Sequence, residues 1–508
     1  MSTTRISKSS LPFHPFLFLT VPLLVLFRGN LNQLYPEDLA LPLLLLFIPI
    51  VSLTVGFYFF FKSFTKSGLF VSLIILLFFS YGHIFQVLNG TFINLQISHT
   101  FFVIPFFVIL ILGFFYCLKT TRKLNNITTI LNVVTIALIG VLLAQLVGYD
   151  FNPNYIFDDD IDTSIELNLA EGLNQYPDIY YIILDEYAGS KVLSETYNYE
   201  NNEFINFLSN NGFSTPQETQ SNYVVSFLSL SSALNMQYVN FFTDEVGINS
   251  KDRRLSYNLL HENRVMQILE SNGYSTFNVD SNWGPTNALR IADQNICETN
   301  PVFNSELLVT MLTTSMLKPI LTDLFLPADR ERVLCIFSEI PEIHSKSDKP
   351  IFLFAHIMLP HGPYVWGPNG EHKKIDSLNV LDIVEDKQGY LDQVKFTNKM
   401  IQEMIERIIY ENKKSKIIII QSDHGAVMPM NWENPTEKMQ YDRLSNINYI
   451  LVKEEYRNSL YDAMTPVNVF RVIFNSYFDT NFDVLDDRIF FSGYSKPYDF
   501  VDVTHLFR

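Results

Sequence analysis

Apolar residues fill the first third of the chain in five runs, Leu11–Phe27, Leu39–Phe61, Leu69–Leu88, Phe101–Leu118 and Ile127–Val147. Each run is near the ~20 residues that carry a helix across a bilayer. The first is the shortest and has the length of a signal peptide. It lacks a small-residue cleavage site and four more runs follow, so it is read as a span. The runs predict a bundle of five transmembrane helices over residues 1–148. Cations lie on alternate sides: Arg5 and Lys8 before the first run, Lys62 and Lys66 after the second, and Lys119, Arg122 and Lys123 after the fourth. The other connections carry only Arg28. Positive loops face the cytoplasm, so an odd number of spans leaves everything after about Gly148 outside.

Residues 149–176 are polar and include Asp158, Asp159, Asp160 and Asp162. This stretch reads as a solvated acidic linker. From Pro177 to residue 508 the pattern changes to buried runs separated by amphipathic ones. Strands are expected at Ile179–Leu184, Ser275–Asp280, Ile351–His356, Ile417–Ser422 and Asn448–Val452. Helices are expected at Asn201–Asn211, Ser226–Tyr238, Arg254–Asn272, Ser305–Leu324, Gly389–Asn412 and Pro466–Phe478. Buried strands alternating with helices predict an α/β domain, a mainly parallel sheet sandwiched by helices.

A net charge of −17 excludes nucleic acid as a partner class. Cys297 and Cys335, both in the outer part, form a candidate disulfide in an oxidising compartment.

Candidate chemistry gathers where strands end, the edge at which open α/β sheets bind ligands. Asp423-His424-Gly425 follows the run Lys416–Ser422. Carboxylate and imidazole together suit zinc or manganese, and the glycine is expected to let the chain turn so that both side chains face one ion. Asp185 ends the first strand as a second candidate ligand, with Glu186 beside it; either acid alternatively caps the following turn. Ser226 lies where a loop becomes a helix, as an N-cap or as a nucleophile beside a metal; spacing leaves Ser229 and Ser231 open. His361 sits in a Pro/Gly-bounded turn, suited to giving a proton to a leaving oxygen or holding a phosphoryl oxygen. His356 reads first as a buried, hydrogen-bonded histidine and second as a substrate contact. Asn282 and Trp283 in Asp280-Ser281-Asn282-Trp283-Gly284 either line a substrate pocket or form a turn with a packed indole.

An Asp after the first strand, a hydroxyl at a helix start, a His-x-Pro turn and a late Asp-His-Gly, in that order, resemble the alkaline phosphatase/sulfatase superfamily. Five spans before an outer domain look like its lipoteichoic acid synthases and phosphoethanolamine transferases. The resemblance implies an alkaline-phosphatase-like fold. It implies metal ligation by Asp185, Ser226, Asp423 and His424, with Glu186 as a further candidate, a nucleophile at Ser226 and substrate binding by His361. Ala233-Leu234-Asn235-Met236 follows Ser226 at the offset where sulfatases carry Leu-Leu-Thr-Gly, which favours Ser226 over Ser229. Ser226-Phe227-Leu228-Ser229-Leu230 lacks the Pro and Arg of the sulfatase formylglycine signature, which argues against sulfate esters. The transferases carry Thr where Ser226 stands, so the hydroxyl is kept without its methyl. No histidine of the outer part follows an Asp by four residues, the spacing of two-metal members, so one divalent ion is expected, zinc or manganese rather than calcium or magnesium.

The expected activity is a membrane-anchored phosphotransferase that takes a phospho-head-group from a membrane phospholipid through Ser226 to a glycan or glycolipid. A phosphodiesterase or other sulfatase-like hydrolase with water as acceptor uses the same residues. A non-catalytic scaffold is the third reading, disfavoured by the ordered set of side chains.

Overall fold

The computed structural model describes residues 11–89, 97–149, 162–170, 173, 175–298, 305–373, 386–426 and 431–508. Arg5, Lys8 and the Asp158–Asp160 core of the expected linker lie outside the described residues. The chain divides into two compact units, residues 1–154 with 300–327, and residues 155–299 with 328–508.

The first unit is helical: His14–Gly29, Ala40–Phe61, Phe64–Asn89, His99–Lys119 and Asn125–Ala144. Among the described residues, four helical stretches are long and apolar enough to cross a membrane, the first of them beginning at Pro36 in a short 3-10 turn. These mark the chain as an integral membrane protein. His14–Gly29 has only 16 residues, about 24 Å at ~1.5 Å per residue. That is short of the ~30 Å hydrocarbon core, so the first expected span is apolar but not long enough on its own. Large side chains such as Phe59, Phe60, Phe101 and Leu112 are exposed on these helices, the pattern of surfaces that meet lipid rather than water.

Residues 300–327 come from far along the chain yet belong to this unit. The helix Glu306–Thr313 buries Leu307 and Met311 in a cluster with Leu19, Leu23, Phe27, Val71 and Ile75. Just beyond it the chain enters the hydrogen-bond ladder of Phe64–Asn89. Gly82 N donates to Thr314 O at 3.1 Å, and Met316 N donates to Phe78 O at 3.0 Å. A Cβ at Gly82 would lie 2.0 Å from the Thr314 oxygen, so this approach requires glycine.

The second unit is built on a six-stranded sheet. Its strands are β1 (Asp178–Leu184), β2 (Ser275–Val279), β3 (Gln294–Ile296), β4 (Ile351–Ile357), β5 (Lys416–Gln421) and β6 (Asn448–Leu451). The spatial order is β3-β2-β4-β1-β5-β6. All neighbours are parallel except β6, which runs antiparallel to β5 at one edge. Ile179 and Tyr181 pair with Phe352 and Phe354 on one side, and with Ile417 and Ile419 on the other. Together with Phe470 and Phe474 of the helix Pro466–Tyr477, these residues form one core cluster. Apolar side chains on both faces explain why the central strands read as unbroken hydrophobic runs.

Two expected helices break. Arg254–Asn272 becomes Arg254–His261 and Arg264–Ser271, because Asn263 caps the second by accepting from Met266 N. Ser305–Leu324 divides at Ser315, whose hydroxyl accepts from Leu317 N, between Glu306–Thr313 and Lys318–Glu342. The short strand β3 and the antiparallel pair Phe490–Gly493 and Lys496–Asp502 had no counterpart in the sequence reading. A disulfide joins Cys297 to Cys335.

Candidate functional site

The register of the central strands sets the site. Leu184 pairs with Ile357 and Ile183 with Gln421, so Asp185, His356 and Asp423 emerge from the C-terminal ends of three adjacent parallel strands, where side chains from different strands can converge. Ligand atoms of these three residues lie within 4.8 Å of one another. His356 Nε2 is 3.7 Å from Asp185 Oδ2. Ligand atoms of Asp185, Glu186 and His361 likewise lie within 4.8 Å of one another. Asp185 and Glu186 were expected beside the one ion and His361 as a catalytic and substrate-binding group; the pairing of β1 with β4 brings the three together.

Ser226 begins the helix Ser226–Asn235 without capping it, since Val225 is the N-cap residue. Its Oγ lies 3.2 Å from His424 Nε2 and hydrogen-bonds to the Asp423 side chain. Ser226 stays half-buried while Ser229 and Ser231 are buried. Ser229 Oγ donates to Asp423 O at 2.7 Å, and Ser231 bonds within its own helix and to Ser256. Of the three hydroxyls, the one at Ser226 faces His424.

His424 Nδ1 lies 3.1 Å from Gly425 O, so that nitrogen carries the proton and Nε2 presents its lone pair. Burial first, and the Arg443 charge second, hold His424 well below the usual histidine range. Gly425 works differently from the expected sharp turn. A Cβ there would lie 2.2 Å from Asp442 O and 2.5 Å from Ser445 O, so glycine is required by close packing of two backbones.

Two buried carboxylates share the centre. Burial, then the charge of Asp423, holds Asp185 well above the carboxylate range. Burial pushes Asp423 up to about 6, against hydrogen bonds from Ser226 and from Glu186 N. Such a pair calls for a cation. Asp185 Oδ1, His356 Nε2 and Asp423 Oδ2 are buried polar atoms without a hydrogen-bond partner among the described residues. Buried groups of this kind are rare unless something occupies the gap. Oxygen and imidazole donors suit zinc or manganese, and the residues present fit a divalent ion.

Sequence reasoning missed Arg443. It closes the helix Glu437–Leu444, where a basic residue is ordinary company for a helix C-terminus, and nothing along the chain marks it out. In the fold it is buried and donates to Glu186 Oε1 at 2.9 Å, Val224 O at 3.0 Å and Gly425 O at 3.2 Å. Its Nη2 is 3.1 Å from His424 Nε2. Glu186 itself has φ 62°, a left-handed conformation costly for a side chain of this size. Asp423 Oδ1 accepts its N–H at 3.2 Å and Tyr390 donates to its carbonyl at 2.9 Å.

His361 is 40% exposed and lies 3.8 Å from Glu186 Oε1. Burial acts to lower its pKa, but the charges of Glu186 and Asp185 outweigh it and raise the imidazole to about 9. Solvent at the open side of the ring screens part of that effect. Gln393, from the helix Lys387–Glu411, donates to the carbonyls of His361 and Pro360 at 2.7 and 3.2 Å. Gln393 is a second residue that sequence reasoning missed. Trp283 stands edge-on to His356 with ring centroids 5.3 Å apart, which puts it at the site. Asn282 is exposed, and its N–H bonds to Asp280 at 2.8 Å.

The Sulfatase family model matches residues 177–455. No curated protein matches the chain in sequence. Among solved structures, the C-terminal periplasmic domain of EcEptC from Escherichia coli is similar over 67% of this chain and 97% of its own, at 14% identity and a TM-score of 0.41. The integral membrane protein lipooligosaccharide phosphoethanolamine transferase A from Neisseria meningitidis is similar over 92% of each chain, at 13% identity and a TM-score of 0.42. A protein in the alkaline phosphatase superfamily from Vibrio parahaemolyticus is similar over 66% of this chain and 78% of its own, at 12% identity and a TM-score of 0.38. The family match takes in all six strands of the sheet and every side chain of the site, over more than half of the chain; the protein belongs to the Sulfatase family.

Proposed function

We propose that this protein is a membrane-anchored phosphotransferase that moves a phospho-head-group from a phospholipid to an alcohol of a glycan or glycolipid. One observation carries the reading: the half-exposed hydroxyl of Ser226 beside His424 and Asp423, in a chain that also carries membrane-spanning helices. The absence of Pro and Arg after Ser226 favours phosphate over sulfate esters, since Ser226-Phe227-Leu228-Ser229-Leu230 offers no formylglycine signature. Membrane anchoring accounts for the donor, which lies in the adjacent leaflet. In this reading the first apolar helix counts as a fifth span, and the cationic loops put residues 177–508 outside as the catalytic domain.

Ser226 Oγ attacks phosphorus and releases its proton along its hydrogen bond to Asp423. The bond between phosphorus and the lipid oxygen breaks, and His361 gives its proton to that oxygen. The acceptor alcohol then attacks phosphorus and passes its proton to His361, and Ser226 recovers its own as the bond to Oγ breaks. Asp185 and Asp423 are the carboxylates that would hold a divalent ion, with Ser226 and His424 beside them; when bound, the ion makes the hydroxyl more acidic and offsets charge on the phosphoryl oxygens. Arg443 keeps Glu186 neutralised and His424 in place, and Gln393 fixes the turn that presents His361.

The test is mass spectrometry of the Ser226 peptide after the purified full-length protein meets a head-group-labelled phospholipid. A phosphoryl-head-group adduct on Ser226, discharged by added glycolipid, is expected. Label appearing only as free head-group phosphate, with or without acceptor, would overturn the transferase reading.

A further inference from the structure

The two candidate ion clusters share Asp185 but differ in what already fills them. In the Glu186–His361 group, Glu186 is paired with the Arg443 guanidinium at 2.9 Å. That carboxylate has its cation. In the other group, Asp185 Oδ1, His356 Nε2 and Asp423 Oδ2 have no hydrogen-bond partner among the described residues, Asp423 Oδ2 lies 3.1 Å from His424 Nε2, and the three residues are 0–2% exposed. His424, expected as the nitrogen ligand, has Arg443 Nη2 3.1 Å from its Nε2.

His356 carries a further mark of a ligand. Its Nδ1 lies 3.0 Å from Thr286 Oγ1, which in turn lies 2.7 Å from Ser281 Oγ. One ring nitrogen held by an outer hydroxyl, with the other aimed at two carboxylates, is the arrangement by which proteins orient a metal-binding imidazole. The face of the ring is fixed as well, by the edge-on contact with Trp283. At 3.7 Å the Nε2 to Asp185 Oδ2 separation is too long for a hydrogen bond, yet it suits two ligands of one ion at about 2 Å from each.

We infer that His356 is a protein ligand of the divalent ion, together with Asp185 and Asp423, rather than a core histidine or a substrate contact. The inference rests on the ion site of the Sulfatase-family reading and not on the transfer step, so it is tested without lipid or acceptor.

Purified full-length protein in detergent, stripped of metal, is titrated with Zn2+ while bound ion is counted by elemental analysis. His356→Ala is expected to weaken Zn2+ binding by at least about tenfold, whereas Glu186→Gln retains it. A His356→Ala protein that binds as tightly as the parent, or a Glu186→Gln protein that loses the ion, would overturn the inference. His356→Cys guards against a folding defect, because it keeps a donor in the same position. Loaded with Co2+, it is expected to show a thiolate-to-metal charge-transfer band that the parent lacks; Co2+ binding without that band also sinks the assignment.

Discussion

Strand β1 has a buried aspartate at each end, and the two have different lives. Asp178, at the start, is fully employed. Its Oδ1 accepts from Ile351 N at 3.0 Å and its Oδ2 from Asn412 Nδ2 at 2.8 Å, so it ties β1 to β4 and to the segment after the helix Lys387–Glu411. Asp185, just beyond the other end, has an oxygen with no partner among the described residues and a second carboxylate as its neighbour. Burial raises the pKa of both. Burial and a shifted pKa therefore do not separate a structural acid from a functional one here, whereas the count of hydrogen-bond donors does. The same sheet holds itself together at one edge and leaves unsatisfied groups for a ligand at the other.

Four measurements test that contrast. At the ligand edge, Ser226→Ala is expected to lower kcat/KM by roughly 10^4-fold or more with little change in Tm, since this hydroxyl caps nothing. Retained turnover would remove the nucleophile from the site. At the structural edge, Asp178→Ala strands the Ile351 N–H and the Asn412 amide and is expected to cost about 2–4 kcal/mol, read from denaturant unfolding in detergent, with activity per folded molecule kept. Asp185→Asn reverses the sign. In metal-free protein it removes one of two repelling buried charges and is expected to stabilise by about 1 kcal/mol, while ion binding is lost; a large destabilisation would make the two ends alike.

The smallest effect is in pH. His361 is raised from 6.5 to about 9 in the fold. Its charged form therefore contributes stability that is fully present below about pH 6.5 and is lost as pH rises through about 9. The same proton is the one donated to the leaving oxygen, so log kcat/KM is expected to fall above about pH 9. A profile flat to pH 10 would move proton donation to another group.

The contrast also explains what the sequence could reveal. Asp185, Asp423 and His424 were legible because unbroken apolar runs locate strand ends, and a polar residue directly after such a run has few places to go. Arg443 and Gln393 were not, since each lies on an ordinary amphipathic helix and reaches the site only through packing of segments far apart in sequence. His356 was weighed as a buried core residue because its ligand geometry depends on β4 lying beside β1, which periodicity along one chain cannot supply. Among the helices, the apolar period of Arg254–Ser271 runs on across Glu262 and Asn263, so periodicity hides the break and the capping Asn263 is what marks it. The reduction from five runs to four long apolar helices is a matter of length: residues 11–13 are apolar enough to count in a hydropathy window but lie outside the helix.

The approach of Thr314 to Gly82 bears on how the protein can be cut. A shortened chain starting at Pro177 would keep the whole sheet and every residue of the site, but it would also carry Glu306–Thr313 without the helices that cover Leu307 and Met311. That stranded apolar turn would drive self-association in water. A soluble version therefore calls for trimming residues 305–317 as well, within the loop already closed at its base by the bond between Cys297 and Cys335.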